Sequence, residues 1–255
     1  MNSKFDITGK VAIITGGNGG LGLGMAKGLA LAGAKVAICG RNQDKIDRSL
    51  AELKAQGADA IGISCDVGSE EQVNAMVART KAHFGRIDIL INNAAISWGV
   101  PTEDMTLEQW NHFITNNLTS MFLTCKACFP HMVEVGGGKI INVSSIVTKL
   151  GYGKLSHYGA AKGGMDHMTQ SLAQGWGKHN IQVNALLPGL VDTEMMPCEG
   201  PNKNKLVDYA VKKTPTGTYG RPEDFHGITV LLSSPASDFI TGARIVMDGG
   251  ICVTI

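Results

Sequence analysis

Short runs of β-branched and other apolar residues alternate with longer amphipathic stretches along this chain. Such short, almost continuously apolar runs are typical of strands that a parallel sheet buries on both faces. The predicted strands cover 10–15, 34–40, 60–64, 87–91, 138–144, 181–187 and 243–248. The predicted helices cover 20–33, 43–56, 69–84, 106–134 and 157–178, and a further helix starts near Pro222. The alternation predicts an α/β fold, a doubly wound seven-stranded parallel sheet with helices on both faces.

No stretch of the sequence has the composition of a linker between domains. A chain of 255 residues with 44% apolar residues has enough material for one large core. We therefore expect a single domain over residues 1–255. The least regular stretch, 189–220, is rich in Pro, Gly and Lys. Long loops of this kind in compact domains are usually lids or binding segments, and we expect a substrate lid here.

The charge balance excludes several classes of partner. The chain has 23 Lys and Arg against 22 Asp and Glu, without the basic patch that binding to nucleic acid or an anionic membrane requires. No apolar run is long enough to span a membrane, and the N-terminus lacks the apolar core of a signal peptide. We expect a cytoplasmic protein whose partner is a small molecule.

The six cysteines are scattered, which argues against a disulfide framework and agrees with a reducing cytoplasm. Cys125 and Cys128 have a CxxC spacing, but two residues that pack on one face of a helix explain it better than a metal does. The seven histidines show no ligand spacing such as HExxH. We expect no metal site.

A glycine-rich segment, TGGNGGLGLG at 15–24, follows the first predicted strand directly. Gly16, Gly20 and Gly22 would let the chain turn tightly and let a pyrophosphate lie against the start of the next helix. Free N–H groups and the helix dipole favour an anion there. A glycine cluster alone is a weak signal, but its place between the first strand and the first helix predicts dinucleotide binding.

Tyr158 and Lys162 lie one turn apart in the predicted helix 157–178 and therefore share a face. A phenol with a pKa of about 10 is a weak acid or base at neutral pH, and a nearby ammonium would stabilise its phenolate. Taken alone, the pair is better explained as a surface lysine beside a half-buried tyrosine. The other motifs change that interpretation.

These motifs, with others in order, resemble the short-chain dehydrogenase/reductase family. The pieces are Thr15-Gly16-xxx-Gly20-x-Gly22, NNAA at 92–95, Asn117, Ser145, Tyr158-xxx-Lys162, Pro188-Gly189 and DGG at 248–250. The match runs from about residue 8 to the C-terminus at the family's spacings. One departure is Ala95, where the family usually has Gly, and its methyl group bears on substrate fit more than on catalysis. The resemblance implies a Rossmann oxidoreductase that interconverts a secondary alcohol and a ketone by hydride transfer.

The resemblance implies four catalytic residues. Tyr158 would exchange a proton with the substrate oxygen, and Ser145 would hydrogen-bond the same oxygen. Lys162 would depress the pKa of Tyr158 and hold the nicotinamide ribose. Asn117 would bend its helix and hold a water that relays protons to Lys162.

Two of these residues have a neighbour of the same type, Asn116 beside Asn117 and Ser144 beside Ser145. Each neighbour competes for the catalytic role. The family's spacing selects Asn117 and Ser145, and leaves Asn116 and Ser144 as polar residues that bond the backbone.

The resemblance also implies a set of cofactor contacts along the chain. These are Gly16, Asn18, Gly20, Leu21, Gly22, Arg41, Asp66, Val67, Asn93, Ala94, Tyr158, Lys162, Pro188, Gly189, Val191 and Thr193. Asp66 would reach the adenine, although an Asp after a strand is more often only a helix cap. Asn93 and Ala94 would lie under the adenosine ribose, and the residues after Pro188 would surround the nicotinamide amide.

The end of the second strand predicts NADP(H) rather than NAD(H). Enzymes that prefer NAD place an acidic residue there to bind the 2′-hydroxyl, whereas this chain has Gly40 followed by Arg41. A guanidinium pairs with a 2′-phosphate in bidentate fashion. One point argues against it, since Asn18 stands in the glycine loop where many NADP-preferring relatives have a second basic residue.

The substrate pocket should be walled by residues that follow the main motifs: Ser97, Trp98, Ser145, Ile146, Tyr152, Met195 and Met196. Trp98 and Tyr152 have an alternative reading as half-buried loop aromatics. The segments GLGLGMAKGLA and WGKHNIQVNA are similar to bacterial sugar-acid oxidoreductases of the family. A sugar acid, a polyol and a cyclic or aliphatic ketone, including a thioester-linked one, all remain open as substrates.

A second hypothesis is a non-catalytic redox sensor that binds a dinucleotide on the same fold. Such a regulator would be expected to lose catalytic residues, and all four are present. The helices at 106–134 and 157–178 carry apolar and small residues on more than one face. Because a second apolar face has to be buried, we expect a homotetramer with these helices and the C-terminal strand at its interfaces.

Overall fold

The structure, a computed structural model, describes residues 3–254. Over these residues it contains one parallel sheet of seven strands in the order β3-β2-β1-β4-β5-β6-β7. The strands are β1 Val11–Thr15, β2 Lys35–Gly40, β3 Ala60–Ser64, β4 Ile89–Asn92, β5 Gly138–Val143, β6 Ile181–Pro188 and β7 Arg244–Met247. The predicted fold class is confirmed, and each predicted strand is present.

Helices cover both faces of the sheet. They are α1 Gly20–Leu31, α2 Gln43–Ala55, α3 Glu70–Phe84, α4 Leu107–Ile114, α5 Ser120–Glu134, α6 Ser156–Trp176, α7 Val207–Lys213 and α8 His226–Ser233. The structure differs from the prediction in two places. A π-helical segment, Thr115–Thr119, divides the predicted helix 106–134 into α4 and α5, and a 3₁₀ turn, Pro222–Phe225, precedes α8. Within residues 3–254, no helix is both long and apolar enough to cross a membrane.

The central strands are buried on both faces, which explains their continuous apolar sequence. All five residues of β1 and all eight of β6 are buried. Ala12 and Ile14 of β1 pack with side chains of α1, α2 and α8, whereas Ile13 packs with those of α3, α5 and α6. The apolar runs therefore serve two cores, one on each side of the sheet.

A chain of buried polar side chains links β4, β5, α5 and α6. Thr124 Oγ1 donates to Asn92 Oδ1 (2.6 Å), Asn92 Nδ2 donates to Asn142 Oδ1 (2.8 Å), and Asn142 Nδ2 donates to Thr169 Oγ1 (2.9 Å). Asn92 and Asn142 are also register partners in the sheet. Since each of these four side chains has a hydrogen-bond partner, the burial of their polar atoms is compensated.

The strand order reverses at β1, which lies between β2 and β4. The helix after β1 packs on one core and the α5 helix after β4 packs on the other. The two connections therefore diverge at the carboxyl ends of these strands and leave a crevice between them. Open α/β sheets bind their ligands at this position.

At the amino ends of the strands, opposite the crevice, the buried carboxylate of Asp88 joins the starts of β1 and β4. It accepts hydrogen bonds from Arg86 Nε and Nη2 (2.8 and 2.6 Å), from the Val11 amide (3.0 Å) and from Lys10 Nζ (3.1 Å). Burial acts to raise the pKa of Asp88, but the hydrogen bonds from Arg86, Val11 and Lys10 outweigh it and lower the pKa.

We expect Asp88→Ala to lower the free energy of unfolding by about 2 kcal/mol, because it leaves the buried Val11 amide without its acceptor and removes the ion pairs with the partly exposed Lys10 and Arg86. The lowered pKa means that Asp88 stabilises the fold at pH values above the ordinary pKa of 3.8, and that this contribution is lost as the pH falls through the folded-state pKa. Urea denaturation should therefore show the full difference in free energy of unfolding between the parent and Asp88→Ala at pH 7, and this difference should shrink below about pH 4.

The matched control is Asp59→Ala, which breaks an exposed pair with Lys35 and should cost no more than about 1 kcal/mol. An equal loss in the two variants would show that the Asp88 cluster is not an anchor of the sheet.

Candidate active site

The glycine-rich turn after β1 requires glycine at two positions. Gly16 has a φ of 64°, in the left-handed region that favours glycine. A methyl group added at Gly22 would overlap the carbonyl oxygen of Gly16 and the side-chain amide of Asn93. Asn93 Nδ2 donates to the carbonyl oxygens of Thr15 (3.0 Å) and Gly16 (3.2 Å). The chain therefore approaches itself too closely at this turn for any larger residue.

The start of α1 presents backbone N–H groups that no side chain caps. Its N-cap is Gly19, and α1 begins at Gly20 with a φ of 48°. Leu21 is partly buried against the core and fixes this first turn. Ala94 donates its amide to Thr15 Oγ1 (3.0 Å), which places the residues after β4 beside the turn. The turn and the helix start can thus hold a phosphate group, as the sequence predicts.

The end of β2 has no room for an acidic side chain in its present arrangement. A Cβ at Gly40 would lie 2.5–2.6 Å from the amide group of Asn18, which occupies that space. Arg41 follows with an exposed side chain, and Asn42 caps α2 by accepting from the Lys45 amide (2.9 Å). The structure therefore brings Asn18 and the β2 end together, with a guanidinium beside them.

Asp66 and Val67 follow β3 at the same edge of the sheet. Asp66 Oδ1 accepts from the Gly68 amide (2.9 Å), and the Asp66 amide donates to Gln72 Oε1 (2.9 Å). Val67 is buried in the core that includes α3. The helix cap that the alternative reading expected of Asp66 is provided by Ser69, and the Asp66 side chain closes the turn before it. Its contact with adenine stays a prediction.

Ser145 and Tyr158 meet at the carboxyl end of β5. Tyr158 lies in the first turn of α6, and Ser145 caps the 3₁₀ turn Ile146–Thr148, where its Oγ accepts from the Val147 amide (3.3 Å). Burial raises the pKa of Tyr158 to about 12, and a hydrogen bond from Ser145 acts in the opposite direction. A group on the substrate that bonds the phenol therefore also faces a second hydroxyl.

Lys162 is buried one turn after Tyr158, and only 1% of its surface is exposed. Its Nζ donates to the Val143 carbonyl oxygen (2.7 Å) and lies 5.6 Å from the centre of the Tyr158 ring. Burial lowers the pKa of Lys162 to about 8, while the charge of Asp166 acts to raise it. The sequence interpretation had Lys162 lowering the pKa of Tyr158, but here burial dominates and the phenol pKa lies above its ordinary value.

Asn117 lies in the π-helical segment and is completely buried. Its Oδ1 accepts from the Ile96 amide (3.1 Å), and its Nδ2 donates to the carbonyl oxygens of Ile96 (3.1 Å) and Phe113 (3.1 Å). Both amide hydrogens are therefore committed to the backbone. The Asn117 side chain therefore has no amide hydrogen left for the predicted relay water, and the contact of that water with Asn117 stays a prediction.

The two competing neighbours have other partners. Asn116 Nδ2 donates to the His112 carbonyl oxygen (2.9 Å), one turn back on α4. Ser144 is buried, and its Oγ donates over a long distance to the Lys162 carbonyl oxygen (3.5 Å). Neither side chain lies where Asn117 or Ser145 does, which agrees with the choice made from the spacing.

An aromatic stack that the sequence did not reveal supports the loop after β4. The Trp98 ring lies 4.2 Å from that of Phe113, and Phe113 lies 3.8 Å from the buried His157 ring, measured between centroids. His157 Nε2 bonds the Trp98 carbonyl oxygen (3.1 Å). Ser97 lies on the same loop, next to Trp98. The stack holds that loop against the start of α6 and thus beside Tyr158.

The other predicted wall residues differ in exposure. Ile146 is buried in a small cluster with Ala185 and Leu187, so it supports the wall more than it lines it. Tyr152 is 45% exposed and lines an apolar cavity of about 360 Å³, and Met195 is 49% exposed. The roles of these residues toward a substrate stay predictions.

The segment after β6 crosses from the end of that strand toward the glycine-rich turn. Pro188 ends β6, and a Cβ at Gly189 would lie 2.6 Å from Asp248 Cα, so the segment leaves β6 tightly packed. Val191 pairs with Gly220 in an isolated bridge. The Thr193 side chain then lies against Gly20, within 3.3 Å of the position that a Cβ would take.

The next residue of this segment, Glu194, forms an ion pair with Lys45 of α2. Sequence reasoning did not find this pair, because no local pattern links two exposed charges so far apart in the chain. The pair connects residues 190–196 with the helix that follows Arg41. Together with the contact of Thr193 with Gly20, it holds this segment beside the glycine-rich turn.

The CxxC cysteines lie in the core. Cys125 and Cys128 are buried on α5, and burial raises the pKa of the Cys125 thiol to about 12. Asn92 Nδ2 donates to Cys125 Sγ (3.3 Å). Between residues 3 and 254, no group of three or more His, Cys, Asp and Glu side chains is arranged to hold a metal ion.

The chain is similar to known oxidoreductases over nearly its whole length. It is 40% identical over 252 residues to 2-dehydro-3-deoxy-D-gluconate 5-dehydrogenase of Formosa agariphila, covering 98% of this chain and 96% of the relative. It is 36% identical over 251 residues to gluconate 5-dehydrogenase of Gluconobacter oxydans, covering 98% of each. The crystal structure of a gluconate 5-dehydrogenase from Burkholderia cenocepacia in complex with NADP and tartrate matches with a TM-score of 0.92 and 33% identity, covering 99% of both chains.

A sequence model of the short chain dehydrogenase family matches residues 10–204, which include the glycine-rich turn, Asn117, Ser145, Tyr158 and Lys162. This match and the relatives confirm the resemblance seen in the motifs. The chain belongs to the short chain dehydrogenase family.

Proposed function

We propose that the protein is an NADP(H)-dependent oxidoreductase that interconverts a secondary alcohol and a ketone in a sugar acid. The observation that carries the proposal is the meeting of Ser145 and Tyr158 above the buried ammonium of Lys162, at the carboxyl edge of the sheet. This meeting supports an acid–base role for Tyr158, with a second hydroxyl, beside the crevice that the glycine-rich turn lines.

The residues of the crevice fit a dinucleotide. The uncapped start of α1 leaves backbone N–H groups for a pyrophosphate, and the close approach of Gly22 to Gly16 and Asn93 shapes the turn beside them. Gly16, Gly22 and Leu21 would hold the phosphates, and Lys162 would hold the nicotinamide ribose. When bound, the nicotinamide ring accepts a hydride from the alcohol carbon or donates one to the ketone carbon.

The chain's own residues manage the proton. In alcohol oxidation, the Tyr158 phenolate takes the hydroxyl proton, and the carbon that carries the hydroxyl gives up its hydrogen as a hydride. The phenol then releases its proton to solvent, so the products are the ketone, the reduced cofactor and one proton. In ketone reduction, the phenol returns a proton to the carbonyl oxygen. Ser145 donates a hydrogen bond to that oxygen and stabilises the charge that develops on it. Lys162 stabilises the phenolate through its positive charge.

The relatives support a sugar acid as the substrate. The relatives from Formosa agariphila and Gluconobacter oxydans are named for oxidation at position 5 of a gluconate or a deoxygluconate. The structural relative from Burkholderia cenocepacia holds tartrate, a hydroxy acid. Residues 189–220 would act as a lid over such a substrate, since the pair of Glu194 with Lys45 holds part of this segment beside the glycine-rich turn.

We expect activity with gluconate, 5-ketogluconate or 2-dehydro-3-deoxygluconate to exceed activity with threitol, cyclohexanone and acetoacetyl thioesters. The absorbance of the reduced nicotinamide measures each rate.

Tyr158→Phe should lower turnover by about a hundred- to ten-thousandfold, because it removes the acid–base group. Cofactor binding, followed by fluorescence, should persist. Turnover within tenfold of the parent would refute the role of Tyr158, and a parent without activity on any of these compounds would favour the non-catalytic sensor.

The cofactor preference should depend on Arg41. A charge-assisted contact with the 2′-phosphate is worth roughly 1.5–3 kcal/mol, so Arg41→Ala should lower kcat/KM for NADP(H) by about ten- to a hundredfold. The value for NAD(H) should barely change. Arg48→Ala, which removes an exposed guanidinium on the neighbouring helix α2, is the matched control and should affect neither cofactor. A parent that prefers NAD(H), or equal losses with both cofactors, would contradict this assignment.

We also propose a cytoplasmic homotetramer. The six cysteines are free thiols, in agreement with a reducing compartment, and β7 is an edge strand that pairs with β6. Phe122 of α5 is 45% exposed although it is a large apolar residue. Light scattering should give a tetramer mass, and Phe122→Glu should reduce it. A monomer mass for the parent at micromolar concentration would disprove the assembly.

A further inference from the structure

A buried carboxylate lies behind the catalytic pair without a hydrogen bond. Asp166 of α6 is 3% exposed, and within residues 3–254 neither of its oxygens has a hydrogen-bond partner. Its nearest recorded cation is Arg244 of β7, whose Nη1 lies 3.9 Å from Asp166 Oδ2, beyond hydrogen-bond distance. Because burial of an uncompensated carboxylate is costly, its retention at this position needs an explanation.

The position of Asp166 on α6 suggests what that explanation is. Tyr158, Lys162 and Asp166 occupy positions i, i+4 and i+8 of one continuous helix, so their side chains form a single row. The row begins with the phenol at the crevice, continues with the buried ammonium and ends with the buried carboxylate. Asp166 thus extends the Tyr–Lys pair by one more turn into the interior.

Lys162 itself has no carboxylate at hydrogen-bond distance. Within the part of the chain that the structure describes, the recorded partners of its Nζ are the Val143 carbonyl oxygen (2.7 Å) and Met165 Sδ (4.0 Å). Both are uncharged. The ammonium of Lys162 therefore relies on charge at longer range to offset its burial, and Asp166 supplies a negative charge on the same helix face.

The elements packed against α6 offer few competing charges. The 3₁₀ turn Ile146–Thr148, the π-helical segment and β6 contain no charged residue. On β5, Lys139 lies at the far end of the strand and pairs with Asp238. From α4, His112 lies against the Trp98 ring, outside this row, and Glu108 is exposed. On α6 itself, His157 packs on Phe113 and His167 is exposed. The 3₁₀ turn at the far end of α6, Gly177–His179, holds an exposed Lys178 and a His179 that packs on Phe129. Arg244 from β7 remains as the cation that faces the row.

We propose that Asp166 is a positioning residue that keeps Lys162 in its ammonium form through the electrostatic field inside the protein. The proposal deepens the proposed function, on which its kinetic consequence rests. Only the ammonium stabilises the phenolate of Tyr158, so loss of its proton ends catalysis at high pH. Since burial brings the pKa of Lys162 down to about 8 and the charge of Asp166 opposes this, a modest change in the field decides the protonation state near neutral pH.

The direct test follows the titration of Lys162 in the full chain by the carbon-13 NMR signal of its Cε, assigned by the loss of that signal in Lys162→Met. Asp166→Asn removes the negative charge at nearly constant shape, so the apparent pKa of Lys162 should fall by roughly one unit. Arg244→Gln removes a positive charge and should shift it upward by a smaller amount. Asp238→Asn, an exposed carboxylate paired with Lys139, is the control and should leave it unchanged.

The kinetic test measures kcat for alcohol oxidation against pH with saturating cofactor and substrate. In Asp166→Asn, the alkaline limb should move to lower pH by the same amount as the Lys162 titration, and Asp166→Glu should restore it. A loss of kcat without movement of that limb would overturn the proposal and leave Asp166 with a purely structural role.

The two readouts separate this proposal from the proposed function. An unchanged Lys162 titration in Asp166→Asn overturns the role of Asp166 whatever the substrate is. A shifted titration in a protein that oxidises none of the sugar acids supports Asp166 and contradicts the proposed function. If Asp166→Asn does not fold, Arg244→Gln decides, because an unchanged or lowered pKa of Lys162 in that variant refutes the proposal.

Discussion

The arrangement of the candidate site depends on one hydrogen bond, from the Lys162 ammonium to the Val143 carbonyl oxygen (2.7 Å). Val143 is the last residue of β5, and Ser145 follows two positions later. The bond therefore fixes α6 against the strand end that carries Ser145, and Tyr158 of the preceding turn meets that serine as a result. Burying an ammonium for this purpose is unfavourable, which is why its pKa falls to about 8.

The side of the crevice that the glycine-rich turn forms is shaped by glycines, which have no side chain. Gly16 and Gly22 let the turn and the Asn93 amide approach each other closely, and Gly40 leaves space that Asn18 fills. On this side the backbone itself forms most of the surface. The substrate side, in contrast, is built by bulky groups such as the Trp98 and Phe113 rings. One crevice thus joins a wall of closely packed backbone and a wall of bulky aromatic side chains.

The sequence predicts the strands well because burial on both faces leaves a continuous apolar run, as in β6. It does not predict the π-helical segment at 115–119, since one extra residue in a turn leaves the apolar pattern of the neighbouring helices almost intact. The choice of the four side chains expected to be catalytic follows from motif spacing, but the raised pKa of Tyr158 depends on burial, which the folded chain provides. Likewise, the pair of Glu194 with Lys45 joins residues whose neighbourhood only the folded chain defines.

The buried chain of Asn92, Asn142, Thr124 and Thr169 has a consequence for how the sheet assembles. Parallel strands of similar apolar residues, such as β4 and β5, offer several alternative alignments of nearly equal hydrophobic gain. A slip by one residue would turn Asn142 to the opposite face and leave the Asn92 amide without its partner, at a cost of about 1–3 kcal/mol for each unpaired group. The hydrogen bonds among these four side chains therefore make misaligned sheets less stable than the native one. Because the register of β5 is set in this way, the strand end that carries Ser145 lies beside α6.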